Sequence, residues 1–231
     1  PVGQTPVEFA ATGDERTLPH IPDHELLRLI GRGSYGEVWL ARNVMGTYRA
    51  VKVVYRQTFE SQRPYEREFA GIQKFEPISR THPSQLNVLH VGRDDAAGHF
   101  YYVMELADAV GEGDGRLEMG DRVKTSSPMP AGELPSSNSH LLSPDSYCPR
   151  TLRSDLYHRG RLPFEECLDI GLALATALDH LHRHGLVHRD IKPSNIVFVN
   201  GIPKLADIGL VARAEATLSL VGTEGYLPPE G

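Results

Sequence analysis

Between Leu186 and Gly209 the chain reads LVHRDIKPSNIVFVNGIPKLADIG, and four of its side chains could do chemistry: Asp190, Lys192, Asn195 and Asp207. A carboxylate such as Asp190 can orient a hydroxyl group and accept its proton, and a nearby lysine can neutralise developing negative charge. Asn195 and Asp207 offer hard oxygen atoms of the kind that Mg²⁺ takes, a few from protein and the rest from phosphate and water. A base, a cation and metal ligands on one short stretch are the parts required by phosphoryl transfer, a reaction governed by positioning and charge neutralisation.

Far upstream, HELLRLIGRGSYGEVWLAR alternates apolar and polar residues around Gly31, Gly33 and Gly36, which reads as strand, glycine turn, strand. Backbone free of side chains can lie close over phosphates. A lone G-x-G-x-x-G could also open a dinucleotide-binding unit, but there the third glycine leads into a helix, and here EVWLAR continues as a strand. The next apolar strand, YRAVKVVYR, carries one cation, Lys52, sixteen residues beyond Gly36. Turned inward, that charge is costly without an anionic partner. The segment RPYEREFAGIQKF supplies candidates: Pro64 suits a first helical position, Tyr65, Phe69, Ile72 and Phe75 recur at three- and four-residue spacing, and Pro77 reads as terminator. Glu68 shares a face with Tyr65 and Ile72 and is the expected partner; Glu66, the alternative, lies roughly 160° round the helix.

In order and spacing these signals resemble the catalytic domain of a eukaryotic-type serine/threonine protein kinase, with phrasing (DIKPSN, PPEG) at least as close to bacterial kinases. The resemblance runs from about Glu25 to Gly231, an insertion left out, and implies a two-lobed α+β fold with a β-rich small lobe and an α-helical large lobe. It implies ATP and Mg²⁺ as cofactors and a protein Ser/Thr hydroxyl as acceptor. Asp190 becomes the base, Asn195 and Asp207 the metal ligands, Lys52 the clamp on the α- and β-phosphates, and Lys192 the γ-phosphate contact that marks Ser/Thr specificity. Gly31, Gly33, Gly36 and Val38 cover the phosphates. Ala50 and Val197 line the nucleotide, Met104 is the gatekeeper, and Glu105 and Ala107 offer backbone groups to adenine. GTEGYLPPE resembles the end of an activation segment, giving Thr223 a contact to the catalytic pair and Glu230 an anchoring role. Arg189 is the partner of a phosphorylated Thr217 or Ser219.

The elements that must hold these residues are legible in outline. Residues 1–23 lack periodicity and read as a flexible tail, and 24–231 as the kinase domain: a small lobe over 24–107, an insertion over 108–149 and a partial large lobe over 150–231. In the insertion 17 of 42 residues are Gly, Pro or Ser, so no hydrophobic period survives and a mobile loop is expected, with Thr125, Ser126, Ser127 and Ser143 as phosphorylation candidates. TLRSDLYHRG reads as a short helix. PFEECLDIGLALATALDHLHRHG reads as the main large-lobe helix, with Phe164, Cys167, Gly171, Leu174, Leu178 and Leu181 as its buried seam and Gly185 after its last turn. His180, His182, His184 and His188 have no acidic or cysteine fourth ligand at matched spacing, so zinc is not expected, and the resemblance makes His188 a packed residue beside the catalytic loop.

Composition fits without deciding. At 231 residues and 40% apolar content the chain can bury a sizeable core, and a net charge of −6 argues against a nucleic-acid surface or a polybasic anchor. Two cysteines, Cys148 and Cys167, give no disulfide framework and point to a reducing cytoplasm; no membrane segment is visible in the chain. Three departures from the resemblance stand out. Ile208 replaces the aromatic of the metal loop, where it is expected to pack with Ile72, Val91 and His188. The anchoring triplet reads PPE, and the chain stops at Gly231, where the large lobe is expected to continue. Two functions follow: an active Ser/Thr kinase, or a fragment of one, and a pseudokinase or ATP-binding scaffold. Lys52, Asp190 and Asp207 are all present, which favours catalysis.

Overall fold

A computed structural model describes residues 18–33, 35–111, 144–207 and 212–213. Five antiparallel strands form the small-lobe sheet: β1 (His24–Arg32), β2 (Gly36–Asn43), β3 (Tyr48–Tyr55), β4 (Val88–Asp94) and β5 (His99–Met104), in the order β1-β2-β3-β5-β4. Because side chains alternate across a strand, the register decides what faces the cleft. Val38 pairs with Lys52, Leu40 with Ala50, Ala50 with Met104 and Lys52 with Tyr102, so these six share one face. That face carries Ala50, Val54, Phe100, Tyr102 and Met104 into the main core.

The opposite face is also covered. Ala41, Val51, Val53, Tyr101 and Val103 form a second core with Ile21, which is 2% exposed. The tail boundary drawn at residue 23 is therefore too late. Ile21 pairs with His24, and the Asp23 carbonyl accepts from the Val44 amide at 3.1 Å, so the chain folds back over the sheet before β1 begins. Burying one isoleucine there contributes about 1.5–3 kcal/mol.

Helix α1 (Gln62–Ser79) packs across the cleft face, burying Tyr65, Glu68, Gly71, Ile72 and Phe75 along one stripe. Its ends differ from the expectation. Ser61 is the N-cap, which makes Pro64 the third helical residue, and Pro77 lies inside the last turn. A proline there removes only one late hydrogen bond. The stop comes after Ser79, whose hydroxyl donates to the Glu76 carbonyl at 2.7 Å and accepts from Val88 N at 3.1 Å.

The large lobe begins with α2 (Leu152–Arg159), opened by a capping box between Thr151 and Ser154, followed by α3 (Phe164–Arg183). The seam of α3 is rotated from the one read in the sequence. Ile170, Ala177 and Leu181 are buried, with Leu174 and Leu178 beside them, whereas Phe164, Leu168 and Leu172 are exposed at 74%, 50% and 57%, and Cys167 and Gly171 are exposed too. Two apolar stripes run along this helix, and period alone does not choose between them. Strand β6 (Leu186–Val187) pairs with β9 (Ala212–Arg213), and β7 (Ile196–Val199) with β8 (Ile202–Leu205). Asn200 and Gly201 close the β7–β8 hairpin with φ 52° and 74°, the left-handed pair a two-residue turn requires.

The lobes meet through backbone and a buried amide. Leu86 N reaches Leu205 O at 3.2 Å, Leu205 N reaches Ser84 O at 2.9 Å, and Gln85 Nε2 donates to the Ala177 carbonyl at 2.7 Å. No helix of the described residues is long and apolar enough to cross a membrane.

The two glycines flanking the tip of the glycine turn differ in what they demand. A Cβ on Gly36 would run into the Val53 carbonyl oxygen, which is backbone and cannot swing away, whereas one on Gly33 would meet nothing within 4 Å. Gly36→Ala is expected to destabilise the fold by about 1–3 kcal/mol, and Gly33→Ala to leave it within about 1 kcal/mol. Denaturant melts of the two variants check this; equal loss in both would contradict it.

Candidate active site

Hairpin β7–β8 brings together what the sequence separates. Asn195 precedes β7 and Asp207 follows β8, so the pairing of Ile196 with Leu205 makes their loops neighbours, and Ala206 N donates to Asn195 O at 2.8 Å. The stretch before β7 is fixed by its own polar groups. Asn195 Nδ2 donates to both the main-chain O and the Oδ2 of Asp190, each at 2.9 Å, and Lys192 Nζ lies 2.7 Å from the same Oδ2. The Asn195 amide nitrogen is thus turned to Asp190, and its oxygen is the atom left to a cation. Asp190 and Asn195 are 7% and 6% exposed.

His188 ties this loop to the next. Its ring sits 1% exposed, with Nε2 3.0 Å from the Ala206 carbonyl and Nδ1 3.4 Å from Asp190 N. Burial pushes its pKa down, against the hydrogen bond to Ala206 and the carboxylates of Asp207 and Asp190. A neutral imidazole is what those two bonds need. Arg189 and Asp207 adopt left-handed backbone at φ 66° and 59°, a strain that costs about 1–3 kcal/mol per residue.

Lys52, 6% exposed on β3, forms its ion pair with Asp207. Burial works against the ammonium, but Asp207, Tyr102 and Glu68 together raise its pKa above the ordinary lysine value. Lys52 in turn holds the Asp207 carboxyl below the ordinary range. Glu68, the expected partner, stands 7% exposed on the face of α1 turned to the sheet, yet its Oε1 has no hydrogen-bond partner and the ion pair goes to Asp207 instead. Burial pushes the Glu68 carboxyl up to about 7, Lys52 opposing and Asp207 reinforcing. Glu66, the alternative, is committed elsewhere: it takes Arg93 of β4 through two bonds of 2.7 Å.

The remaining expected site residues stand on the cleft face of the sheet, in the glycine turn, on β7 and in the segment after β5. Val38, Ala50 and Met104 line the cleft face, and Gly33 N bonds Gly36 O at 2.9 Å to close the glycine turn. Gly31 allows ordinary contact with Val38, at 3.6 Å from an added Cβ, and Val197 stands beside the main core on β7. Neither the Glu105 carbonyl nor the Ala107 amide has a partner among the described residues. The side chain of Glu105 has a role that sequence reasoning passed over: it accepts from Asn87 N at 2.8 Å and pairs with Lys204 of β8 at 2.6 Å, tying the connection between lobes to the large lobe. Asp108 was missed as well; its carboxylate caps the β7–β8 turn, accepting from Asn200 N at 2.7 Å and Gly201 N at 2.8 Å. No signal short of the fold could have found either. His180 contacts Thr81 Oγ1 at 2.9 Å and stacks near His82 and His184, and no group of three metal-type side chains forms among the described residues. Ile208, Thr217, Ser219, Thr223, Glu230 and the phosphorylation candidates at 125–127 and 143 lie outside the described residues.

A small antiparallel sheet with a glycine turn, a buried strand lysine and a hairpin-built acidic loop is a protein-kinase-like arrangement. Comparison agrees: the protein kinase domain family matches residues 135–231. The chain is 26% identical over 90% of its length to a probable serine/threonine-protein kinase of Clostridium perfringens. It is 28% identical over 90% to the DNA damage-responsive serine/threonine-protein kinase RqkA of Deinococcus radiodurans, and 28% identical over 95% to the serine/threonine-protein kinase PknA of Corynebacterium glutamicum. Over most of its length the chain is similar to serine/threonine-protein kinases. It spans 25%, 26% and 40% of the lengths of these relatives.

Glu68 makes stability depend on pH in a stated direction. Its folded pKa of about 7 lies above the 4.5 of a free carboxyl, so between those values the folded state holds a proton that the unfolded state has released. Stability therefore falls as pH rises from about 4.5 to about 7 and levels off above, by up to roughly 3 kcal/mol. Glu68→Gln is expected to remove that slope and melt higher than wild type at pH 8. Denaturant unfolding at pH 5 and pH 8 measures it, and an unchanged pH difference in the variant would sink the assignment.

Proposed function

We propose that this chain carries the catalytic site of a serine/threonine protein kinase, transferring the γ-phosphoryl group of ATP to a protein hydroxyl. The observation that carries the reading is the joint geometry of Asp190, Lys192 and Asn195 on one loop with the Lys52–Asp207 pair beside it. Lys192 and Asn195 hold the Asp190 carboxylate in place, and that carboxylate orients the acceptor and takes its proton as the new O–P bond forms and the bond to the leaving ADP oxygen breaks. Lys192 stays beside the transferring group and offsets its charge.

The donor set fits Mg²⁺: the Asn195 oxygen and the Asp207 carboxylate are hard ligands, few in number, with phosphate oxygens to complete the shell. When bound, the ion neutralises the phosphates and draws them in line with the acceptor. Lys52, on the cleft face with Val38, Ala50 and Met104, is placed to exchange part of its bond to Asp207 for the α- and β-phosphates. The Glu105 carbonyl and the Ala107 amide are the open backbone pair for the adenine edge. Acceptance of Ser or Thr, in place of Tyr, rests on Lys192 and on the relatives' specificity.

Two measurements on the full-length protein test this. Mg²⁺-ATP at a hundred times its Kd is expected to stabilise wild type by about 2.7 kcal/mol, an increment that Lys52→Ala loses. Asp190→Asn is expected to lower kcat for a Ser/Thr substrate by about a hundredfold or more while Mg²⁺-ATP binding stays near wild type. Transfer surviving at the wild-type rate would remove Asp190 from the role of base; a wild type that ignores Mg²⁺-ATP would remove the whole reading.

A further inference from the structure

The 108–149 insertion was expected as a mobile loop, yet its described ends are built into the molecule. Val110 N bonds Cys148 O at 2.9 Å, Ala109 pairs with Pro149, and Arg150 N bonds Asp108 O at 2.7 Å. Phe198 of β7 completes the mesh, donating to Arg150 O at 3.1 Å and accepting from Asp108 N at 2.7 Å. Arg150 is fastened to the large lobe, its guanidinium 2.7 Å from buried Asp155 and stacked over the Phe198 ring at 4.3 Å. At the other end Arg28 of β1 donates to the carbonyls of Pro144 and Asp145, at 3.4 and 2.5 Å. Residues 144–150 thus run from the small lobe to the large one, alongside the connection Glu105–Asp108.

Tyr147 sits at the middle of this run. It is 1% exposed, packed with Leu40, Ala109, Tyr48 and Leu106. Leu40 faces the same side of the sheet as Val38 and Ala50, so the ring closes the outer end of the cleft face. Its hydroxyl donates to the Ala107 carbonyl at 3.0 Å, while the N–H of the same peptide unit, that of Asp108, is held by Phe198. Both polar ends of the peptide that follows the adenine-facing amide are therefore fixed, one by the strap and one by β7.

We propose that residues 144–150 are a second, non-covalent tether between the lobes and that Tyr147 is a positioning residue for nucleotide binding, holding the Ala107 backbone in the geometry that meets the purine. Phenylalanine would fill the same space, so the hydroxyl's bond to Ala107 is the part that packing does not explain. The proposal rests on the kinase reading, because it takes the ligand at Glu105–Ala107 to be Mg²⁺-ATP.

The test uses full-length protein and Mg²⁺-ATP as probe. Tyr147→Phe and, separately, Arg28→Ala are expected to raise Kd and KM for ATP by about three- to tenfold, the factor one lost hydrogen bond supplies, with kcat within about twofold of wild type. Without nucleotide, the Asp108 amide of Tyr147→Phe is expected to exchange hydrogen faster. Ile170→Val, a variant of a buried residue on α3 outside the strap, should lose stability and leave KM alone. Unchanged KM in Tyr147→Phe, a fall confined to kcat, or an equal rise in Ile170→Val would overturn the tether. A wild type that does not bind Mg²⁺-ATP would overturn the kinase reading and this proposal with it, whereas normal wild-type binding with a silent Tyr147→Phe overturns the tether alone.

Discussion

A buried ammonium group organises this molecule. Lys52 stands on a central strand with almost no exposure, and a charge so placed is tolerated only beside an anion. The anion comes from the other lobe: Asp207 lies 155 residues along the chain, after the last strand of the β7–β8 hairpin. The pair therefore links the small-lobe sheet to the acidic loop, and the cleft between them is the space it spans. Lys52 is the buried member of the pair and Asp207 the half-exposed one, so removing Asp207 takes the ion-pair partner from a buried ammonium, which is more damaging than losing an exposed bridge. Glu68 is the group left over: buried and lacking a hydrogen bond to Oε1, it keeps its proton to an unusual pH.

Around that link the polar groups of the large lobe are saturated in a way that fixes positions more than it adds stability. Asn195 uses its nitrogen on Asp190 and its main-chain oxygen on Ala206, and His188 spends one ring nitrogen on Ala206 and the other on Asp190 N. Each bond contributes only about 1 kcal/mol net. Together they hold two left-handed residues, Arg189 and Asp207, in backbone that neither would choose alone. Stability invested elsewhere, chiefly in the core of Tyr65, Ile72, Phe75, Phe100 and Leu205, offsets that strain.

How much of this was legible follows from what kind of signal each residue leaves. Asp190, Lys192, Asn195, Lys52 and the glycines announce themselves because their chemistry restricts the residue type and their spacing restricts the loop. Helix α1 and its inward Glu68 followed from a single apolar stripe. The phase of α3 did not, since LDIGLALATAL is apolar on two faces and only the rest of the lobe selects Ile170, Ala177 and Leu181. The ion-pair partner of Lys52 was also unreadable: Asp207 and Glu68 are both acidic, and only the folded arrangement brings Asp207 onto the ammonium. Ile21, Lys204 and Tyr147 left no trace at all. Each is an ordinary residue in a segment without period, and each acquires its part from a surface that exists only after folding.

The same reasoning separates two kinds of lobe connection. Backbone bonds such as Leu86 to Leu205 and the Gln85 amide on Ala177 lie at the back of the cleft, where they act as a pivot. Glu105–Lys204 lies at the hinge segment itself, and the strap through Tyr147 crosses beside it towards the outer end of the cleft face. A pivot alone leaves the angle between lobes free, because rotation about it changes few of its own distances. A tether displaced from the pivot is stretched by the same rotation, so its resistance grows with that displacement. By its position Tyr147 resists opening more effectively than a bond of equal strength at the back, and a residue from an insertion thereby gains a hold on the geometry of the cleft.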